Sequence, residues 1–350
     1  MENLIRLTPE QLSQITSYRK GEIKFGERIQ TIPENTTVVD FLKTTQAQFV
    51  LFGIPEDIGV RANFGRMGTT SAYQNTLSAI ANIQHNRFCK GSNLIILGHI
   101  DTESYLERAK NLSPTNKEEL KVLNKIVGEI DKEVTHLVSV IVKSGKIPIA
   151  IGGGHNNAYG MIKGTALGKA KPINAINFDA HTDFRALEGR HSGNGFSYAY
   201  EEGFLNKYFI FGLHENYTSK GVFLRIKETA GRVFYTTYEQ ISLRKETSFA
   251  EQLDKALTFV QEEDFGIEID LDAVEAMPSS AMTLSGFSSE KARKFLHYFG
   301  SSPQASYLHI CEGAPELSDD NNPNLIGKFI AYLITDFMKA KVNSGSVVVD

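Results

Sequence analysis

The sequence predicts an α/β protein built on a mainly parallel sheet of eight strands, with helices packed on it. Three observations lead there. Short, continuously apolar runs recur along the chain, such as Phe49-Val-Leu-Phe-Gly-Ile54 and Ile147-Pro-Ile-Ala-Ile151. Runs without a polar face belong to strands buried on both sides, as parallel strands are. Stretches with apolar residues at helical spacing alternate with these runs. Acidic and histidine residues gather just beyond several runs, where the loops of parallel folds carry function. A three-layer α/β/α sandwich and a closed (β/α)₈ barrel both satisfy this pattern.

The 350 residues read as one unit, 1–350, with residues 1–45 as an N-terminal arm and helix. Pro9 suits the first turn of a helix placed over 9–20. Residues 21–45 are polar and mixed and read as a surface arm. A first strand over 49–54 ends at Pro55, and the loop beyond it carries Arg61, Asn63, Gly65 and Arg66. A helix over 69–82 precedes a second strand over 93–98. Asn116 can cap a long helix to Lys143, with Leu123, Ile126, Val127, Ile130 and Val134 on one stripe. The third strand, 147–151, runs into Gly152-Gly153-Gly154-His155. A helix over 157–169 leads to a fourth strand over 173–178. Strands five and six fall at 208–213 and 232–236, with a helix over 248–262 after them. Strands seven, 265–271, and eight, 306–311, end at Asp270-Leu-Asp272 and Glu312. A helix over 324–339 closes the pattern.

Composition narrows the function. A formal net charge of −4 and the lack of a dense basic block argue against nucleic acid as partner. No apolar run reaches the roughly 18 residues that span a membrane. Met1-Glu-Asn-Leu-Ile-Arg6 lacks the apolar core of a signal peptide. Cys89 and Cys311 are far apart, so no disulfide framework is indicated and a cytoplasmic setting is expected. Cys311 lies in an apolar run and reads as a core residue.

The densest chemistry is Ile176-Asn-Phe-Asp179-Ala-His181-Thr-Asp183-Phe-Arg185. In extended backbone, alternate residues share a face, which places Asp179, His181 and Asp183 together. Asp270 and Asp272 repeat the spacing, and His155 follows a tight glycine turn without the lysine of a phosphate-binding loop. Any one of these motifs alone is a common turn or helix cap. Together they offer two imidazoles and four carboxylates from three separate loops. Four clustered carboxylates repel one another unless protonated or neutralised, and two divalent cations would neutralise them. The set has no thiolate and favours manganese or magnesium over structural zinc, with nickel, cobalt and iron also compatible. Two ions about 3.5–4 Å apart bring water near neutrality for attack, so hydrolysis is the expected use.

Gly-Gly-Gly-His155, Asp179-Ala-His181-Thr-Asp183 and Asp270-Leu-Asp272, in this order, resemble the signature motifs of the ureohydrolase superfamily of arginases, agmatinases and formimidoylglutamases. The resemblance runs from about Phe49 to Met338. It implies the three-layer sandwich with an eight-stranded sheet, two Mn²⁺ per chain and a homo-oligomer. It assigns His155 and Asp183 to one ion, His181 and Asp272 to the other, and Asp179 and Asp270 to both. Phe52-Gly-Ile-Pro-Glu-Asp-Ile-Gly-Val-Arg61-Ala-Asn63-Phe-Gly-Arg66 and Phe184-Arg185-Ala-Leu-Glu188-Gly-Arg190-His191-Ser-Gly-Asn194 look most like the formimidoylglutamases. The implied reaction is hydrolysis of N-formimidoyl-L-glutamate to L-glutamate and formamide, a step of histidine breakdown.

That small-molecule substrate brings two carboxylates, and guanidinium groups pair well with carboxylates. Arg61, Arg66, Arg185, Arg190 and Asn194 are therefore the substrate-binding candidates, and structural ion pairing is the competing use of the arginines. Glu312 matches in position the superfamily glutamate that holds the amidine group. Asp183 is the expected proton carrier. His191 is a third catalytic candidate, although relatives place their histidine one residue later, where Ser192 stands. After Asp272 the usual third aspartate and its proline are missing, and neither is among the six expected ligands. Two rivals stand beside this reading: another guanidine or amidine hydrolase (arginase, agmatinase or guanidinobutyrase) and a non-catalytic binding protein on the same fold. Metal-dependent deacetylation is a more distant one.

Overall fold

The sheet is open and has nine strands, in the order β1-β3-β2-β4-β9-β8-β5-β6-β7. These are β1 (Leu4–Arg6), β2 (Phe49–Gly53), β3 (Leu94–Ile100), β4 (Ile147–Ile151), β5 (Ile173–Phe178), β6 (Leu205–Leu213), β7 (Val233–Thr237), β8 (Phe265–Asp270) and β9 (Ala305–Cys311). The structure, a computed structural model, describes residues 3–318 and 324–343. Of the expected unit 1–350, residues 1–2, 319–323 and 344–350 lie outside the described residues.

All pairings from β2 to β9 are parallel. The eight predicted strands are these, and the sandwich replaces the barrel because β1 and β7 are free edges. The ninth strand is a correction. Leu4–Arg6 pairs antiparallel with the β3 edge, opposite Ile100 to Gly98. Three residues beside polar neighbours carry no periodicity to read.

The helices are α1 (Pro9–Ile15), α2 (Val38–Thr44), α3 (Ile58–Ala62), α4 (Ala72–Ala81), α5 (Glu103–Ala109), α6 (Lys117–Lys143), α7 (Ala158–Lys169), α8 (Gly195–Glu201), α9 (Lys220–Glu228), α10 (Phe249–Val260), α11 (Ser289–Gly300) and α12 (Leu325–Asn343). Their starts follow local chemistry. The Asn116 side chain accepts from the amides of Glu118 and Glu119 at the head of α6, and Ser248 forms a capping box with Glu251 at α10. Alternate strand residues feed two cores. Leu51, Ile151, Phe178, Ile267 and Ile310 pack against α4, α10, α11 and α12. Val50, Ala150, Ala175, Ile210 and Tyr307 pack against α6, α7 and α8. The reading of 21–45 as surface is also corrected, since Phe25 and Leu42 are fully buried.

The feature that places the site is the adjacency of β4, β9, β8 and β5 in the middle of the sheet. Their carboxyl ends deliver residues that are up to 157 positions apart in sequence, His155 and Glu312 among them. Beneath them Phe178 lies 4.9 Å from Phe295 and 5.2 Å from Phe287, ring centre to ring centre. Such aromatic contacts add about 0.5–1.5 kcal/mol each beyond burial and give the strand ends a rigid floor.

Candidate metal centre and active site

β4 ends in a turn that only glycine can make. Gly152 and Gly153 have φ of 90° and 71°, a region costly for residues with a Cβ. A Cβ on Gly153 would also strike the Asn157 amide and the Glu56 carboxylate. Glu56, fully buried, accepts from the backbone amides of Gly154 (3.1 Å) and Ile58 (2.8 Å) and from the side chains of Asn156 and Asn157. It ties the His155 turn to the loop after β2. The sequence reading passed over Glu56, and its only sign there is a carboxylate set between Pro55 and an apolar helix.

The turn points His155 at the other loops. Its Nδ1 lies 2.7 Å from Asp183 Oδ2, 3.1 Å from Asp270 Oδ2 and 3.3 Å from Asp179 Oδ2. His181 Nδ1 lies 3.5 Å from Asp179 Oδ1 and 3.9 Å from Asp272 Oδ2. The structure thus brings together all six candidate ligands. They form two groups able to hold a cation, His155 with Asp179, Asp183 and Asp270, and His181 with Asp270 and Asp272. Asp270 belongs to both.

Electrostatics tests whether cations fit. Burial raises Asp270 well above the usual carboxylate range, and Asp179 and Asp272 add repulsion. Burial also raises Asp183 and Asp272, and burial with Asp272's charge pushes Glu312 up to about 8. Burial opposes the charge of His181, but the neighbouring carboxylates, Asp179 foremost, lift it to about 10. Three carboxylate oxygens converge on one imidazole nitrogen that can donate to only one of them. Divalent cations would satisfy all of these groups in their charged or basic forms, so the donor set fits two metal ions.

The carriers of this geometry are strained. Asp183 and Glu312 are non-glycine residues with φ of 44° and 60°, worth about 1–3 kcal/mol each. Packing and local bonds hold them. Glu312 Oε1 accepts from the His155 amide at 2.6 Å, and its own amide donates to Gly153. Its Oε2 is buried without a partner. His181 is braced by Tyr217, which stacks on it at 5.2 Å and in turn lies on His214 at 5.1 Å.

A cavity of about 1030 Å³ opens over these groups, with Asp183, Asp270, Asp272 and Glu312 in its wall. The arginine candidates divide. Arg66 and Arg185 line the cavity. Arg66 donates to the carbonyls of Ser279 and Ser280, and Arg185 to Asn63 Oδ1 and Glu188 Oε1, both at 2.6 Å. Arg61 does not line it. Its guanidinium, buried, donates to the carbonyls of Ala109 and Leu112 and pins the chain ahead of α6. Arg190 is also turned away, buried in a bidentate pair with Asp131 and donating to Asn194 Oδ1 at 2.6 Å. Asn194 is fully buried and spends its amide on the carbonyls of Ala186 and Gly189. His191 is a cap. Its Nδ1 accepts from the Gly193 amide, while burial and the charge of Arg185 push it down to about 4. Ser192 and Gly193 face the cavity in its place.

Arg190→Met is therefore expected to destabilise the fold by about 3–5 kcal/mol, the cost of stranding a buried Asp131, and to leave KM nearly unchanged. Urea midpoints and steady-state kinetics check this. A raised KM with an unchanged midpoint would return Arg190 to the substrate.

The cavity also contains residues the sequence reading did not find. Arg225 and Tyr217 come from α9 and the turn before it. Arg225 donates to Glu201 at 2.9 Å and lies over the Phe184 ring. The readable signal was Ser219, which caps α9 by accepting from the Val222 amide.

An open, mainly parallel sheet with a paired Asp/His cluster across its central strand ends is the arrangement on which the comparison with known proteins bears. The sequence model of the arginase family matches residues 47–335, and the chain belongs to that family. Among curated relatives, the formimidoylglutamase of Streptococcus pyogenes serotype M3 is 25% identical over 296 residues, covering 82% of this chain and 84% of that one. Among solved structures, the formimidoylglutamase of Bacillus subtilis superposes with a TM-score of 0.74 at 18% identity, over 94% of this chain and 95% of that one. The Trypanosoma cruzi formiminoglutamase with two Mn²⁺ gives 0.68 at 18% identity, over 91% and 98%.

Proposed function

We propose that the chain hydrolyses N-formimidoyl-L-glutamate to L-glutamate and formamide, using two Mn²⁺. The observation that carries this reading is the convergence of His155, Asp179, His181, Asp183, Asp270 and Asp272 into two groups sharing Asp270, with His181, Asp183, Asp270 and Asp272 lining one cavity. The family assignment makes it a hydrolase of amidine C–N bonds, and the curated relative carries the substrate in its name.

His155 and Asp183 would hold one ion, His181 and Asp272 the other, with Asp179 and Asp270 shared. Bound there, the pair would supply water activated near neutral pH. The chain's own groups do the rest. The unpartnered Oε2 of Glu312 accepts an N–H of the formimidoyl group and orients its carbon. Asp183 takes a proton from the attacking water and returns it to the departing nitrogen. Water adds to the carbon, the bond to the glutamate nitrogen breaks, and the amine leaves protonated beside formamide.

Arg185 and Arg225, at the wall of the cavity, pair with the two substrate carboxylates, and Arg66 adds positive charge. Agmatine, which has no carboxylate, would leave both guanidinium groups without a substrate partner. Arg185→Met is expected to raise KM about tenfold with kcat nearly kept, the pattern of lost uniform binding. The deciding assay gives Mn²⁺-loaded protein N-formimidoyl-L-glutamate, arginine, agmatine and guanidinobutyrate, and measures formamide and urea. Formamide from the first alone supports the reading, and urea from any other overturns it. Assembly as a homo-oligomer belongs to the same proposal and rests on the superfamily resemblance, and a cytosolic setting belongs to it on the sparse, distant cysteines. Among the described residues no helix is long and apolar enough to cross a membrane. The proposal also treats 1–350 as one catalytic unit.

A further inference from the structure

We propose that Glu268 is a positioning residue for His155 and makes the two metal half-sites unequal, so that the half around His155 fills first. This rests on the two-ion reading above. Glu268 stands on β8 two residues before Asp270 and is fully buried. A buried carboxylate requires partners, and three reach it. Tyr307 donates to Oε1 at 2.6 Å. His309 Nδ1 lies 2.6 Å from Oε2, and His155 Nε2 lies 3.5 Å from the same oxygen.

The other nitrogen of His309 faces the carbonyl of Gly152 at 3.4 Å, in the turn that delivers His155. Tyr307, Glu268 and His309 therefore brace both the ring and the turn. The Glu268 contact is an ion-pair distance and not a hydrogen bond, and among the described residues nothing is hydrogen-bonded to the buried His155 Nε2. A neutral imidazole carries one N–H. With an ion held at Nδ1, that proton would sit on Nε2, facing the Glu268 carboxylate. Carboxylate support of this kind orients a metal-binding histidine and raises its basicity.

His309 and Cys311 also come within ligand distance of His155. His309 is engaged by Glu268, and the Cys311 thiol donates to the Ile269 carbonyl, so this grouping is a brace. His181 has no such support. Its ring is held by stacking on Tyr217, and among the described residues its carboxylate contacts within 4.0 Å are both made by Nδ1, with none behind Nε2. One histidine is thus aimed and polarised from behind, and the other only packed.

The test is calorimetric titration of the chelator-stripped full chain with Mn²⁺ at fixed pH. Wild-type protein is expected to bind in two steps of unequal affinity, and His181→Ala to keep the tighter one. Glu268→Gln, close in volume, is expected to weaken the tighter step about 10–100-fold and leave the weaker step in place. Equal steps in wild-type protein, equal weakening of both steps, or no change in Glu268→Gln would overturn the proposal. Should Glu268→Gln not fold, Tyr307→Phe removes only the hydroxyl that holds Glu268, and must weaken the same step severalfold or the proposal falls. Wild-type protein that takes up no Mn²⁺ would overturn the two-ion reading itself, a different result from any of these.

Discussion

Asp270→Asn is expected to lower turnover of N-formimidoyl-L-glutamate by about 10³-fold or more, on the order of 4 kcal/mol of barrier. Asp270 is common to both groups of candidate ligands. One of its oxygens lies 3.1 Å from His155 Nδ1, and the other accepts from the Asp272 amide at 2.7 Å. An asparagine has one oxygen and must turn its NH₂ toward one of these positions. It either faces the metal with a donor or strands a backbone amide, and it removes a charge shared by both ions. Manganese content should fall below two per chain in the same protein, while the buried strand β8 keeps the fold. Undiminished turnover with two Mn²⁺ bound would remove the binuclear mechanism.

Stripping the metal should lower the melting temperature by an amount that grows with pH. The sign follows from the raised carboxyls. Asp183, Asp270 and Asp272 sit above the ordinary range and Glu312 is pushed up to about 8. A carboxyl held high binds its proton more tightly folded than unfolded. That advantage is complete below the unfolded value, about 4, and is lost as pH rises toward 8. His155 and His181, also raised, act with the same sign. Their contribution is full below the unfolded value near 6.5 and fades as pH climbs toward about 10 for His181. Asp179 and Glu268 are held low and oppose this only in acid. The metal-free fold therefore weakens between about pH 4 and 8, where metal binding strengthens because its ligands lose protons. At 100-fold excess over Kd the gain is about 2.7 kcal/mol, or about 4 °C for a chain of 350 residues. Melting curves with Mn²⁺ and with chelator from pH 5 to 8.5 read it directly. A metal effect that is flat across that range would contradict the electrostatic account of the site.

The strands and the six ligands were legible because both leave local marks. Double-sided burial writes continuous apolar runs, and ligands from three loops must stand next to strand ends. The route to the ligands was nevertheless partly wrong. β5 ends at Phe178 and Asp183 is in the left-handed region, so a turn, not a shared strand face, unites Asp179, His181 and Asp183. Likewise Asp272 lies in a helical turn after β8. The arginines were not legible. Arg61 and Arg190 stand in the right loops, but their directions are set by the Ala109 carbonyl and by Asp131, 48 and 59 residues away. Arg225 arrives on a helix that no apolar run announced. α11 was missed although Ser288 caps it and Phe295, Leu296 and Phe299 share its buried side, a signal present in the sequence and not used.

The position of β9 bears on how the molecule comes to exist. It is the last strand among the described residues, yet it lies in the centre of the sheet, paired with β4 on one side and β8 on the other. Until residues 305–311 leave the ribosome, β1-β3-β2-β4 and β8-β5-β6-β7 have no strand to join them. His155 belongs to the first block and the aspartates to the second. The pocket around His155 and Glu312 cannot be assembled during most of synthesis, whereas His181, Asp270 and Asp272 all belong to the second block, and closure waits for a long-range insertion of the kind that folds slowly. Half-made chains would then expose two apolar sheet edges and lack the complete pair of metal pockets, which makes the insertion of β9 the point of greatest vulnerability to aggregation.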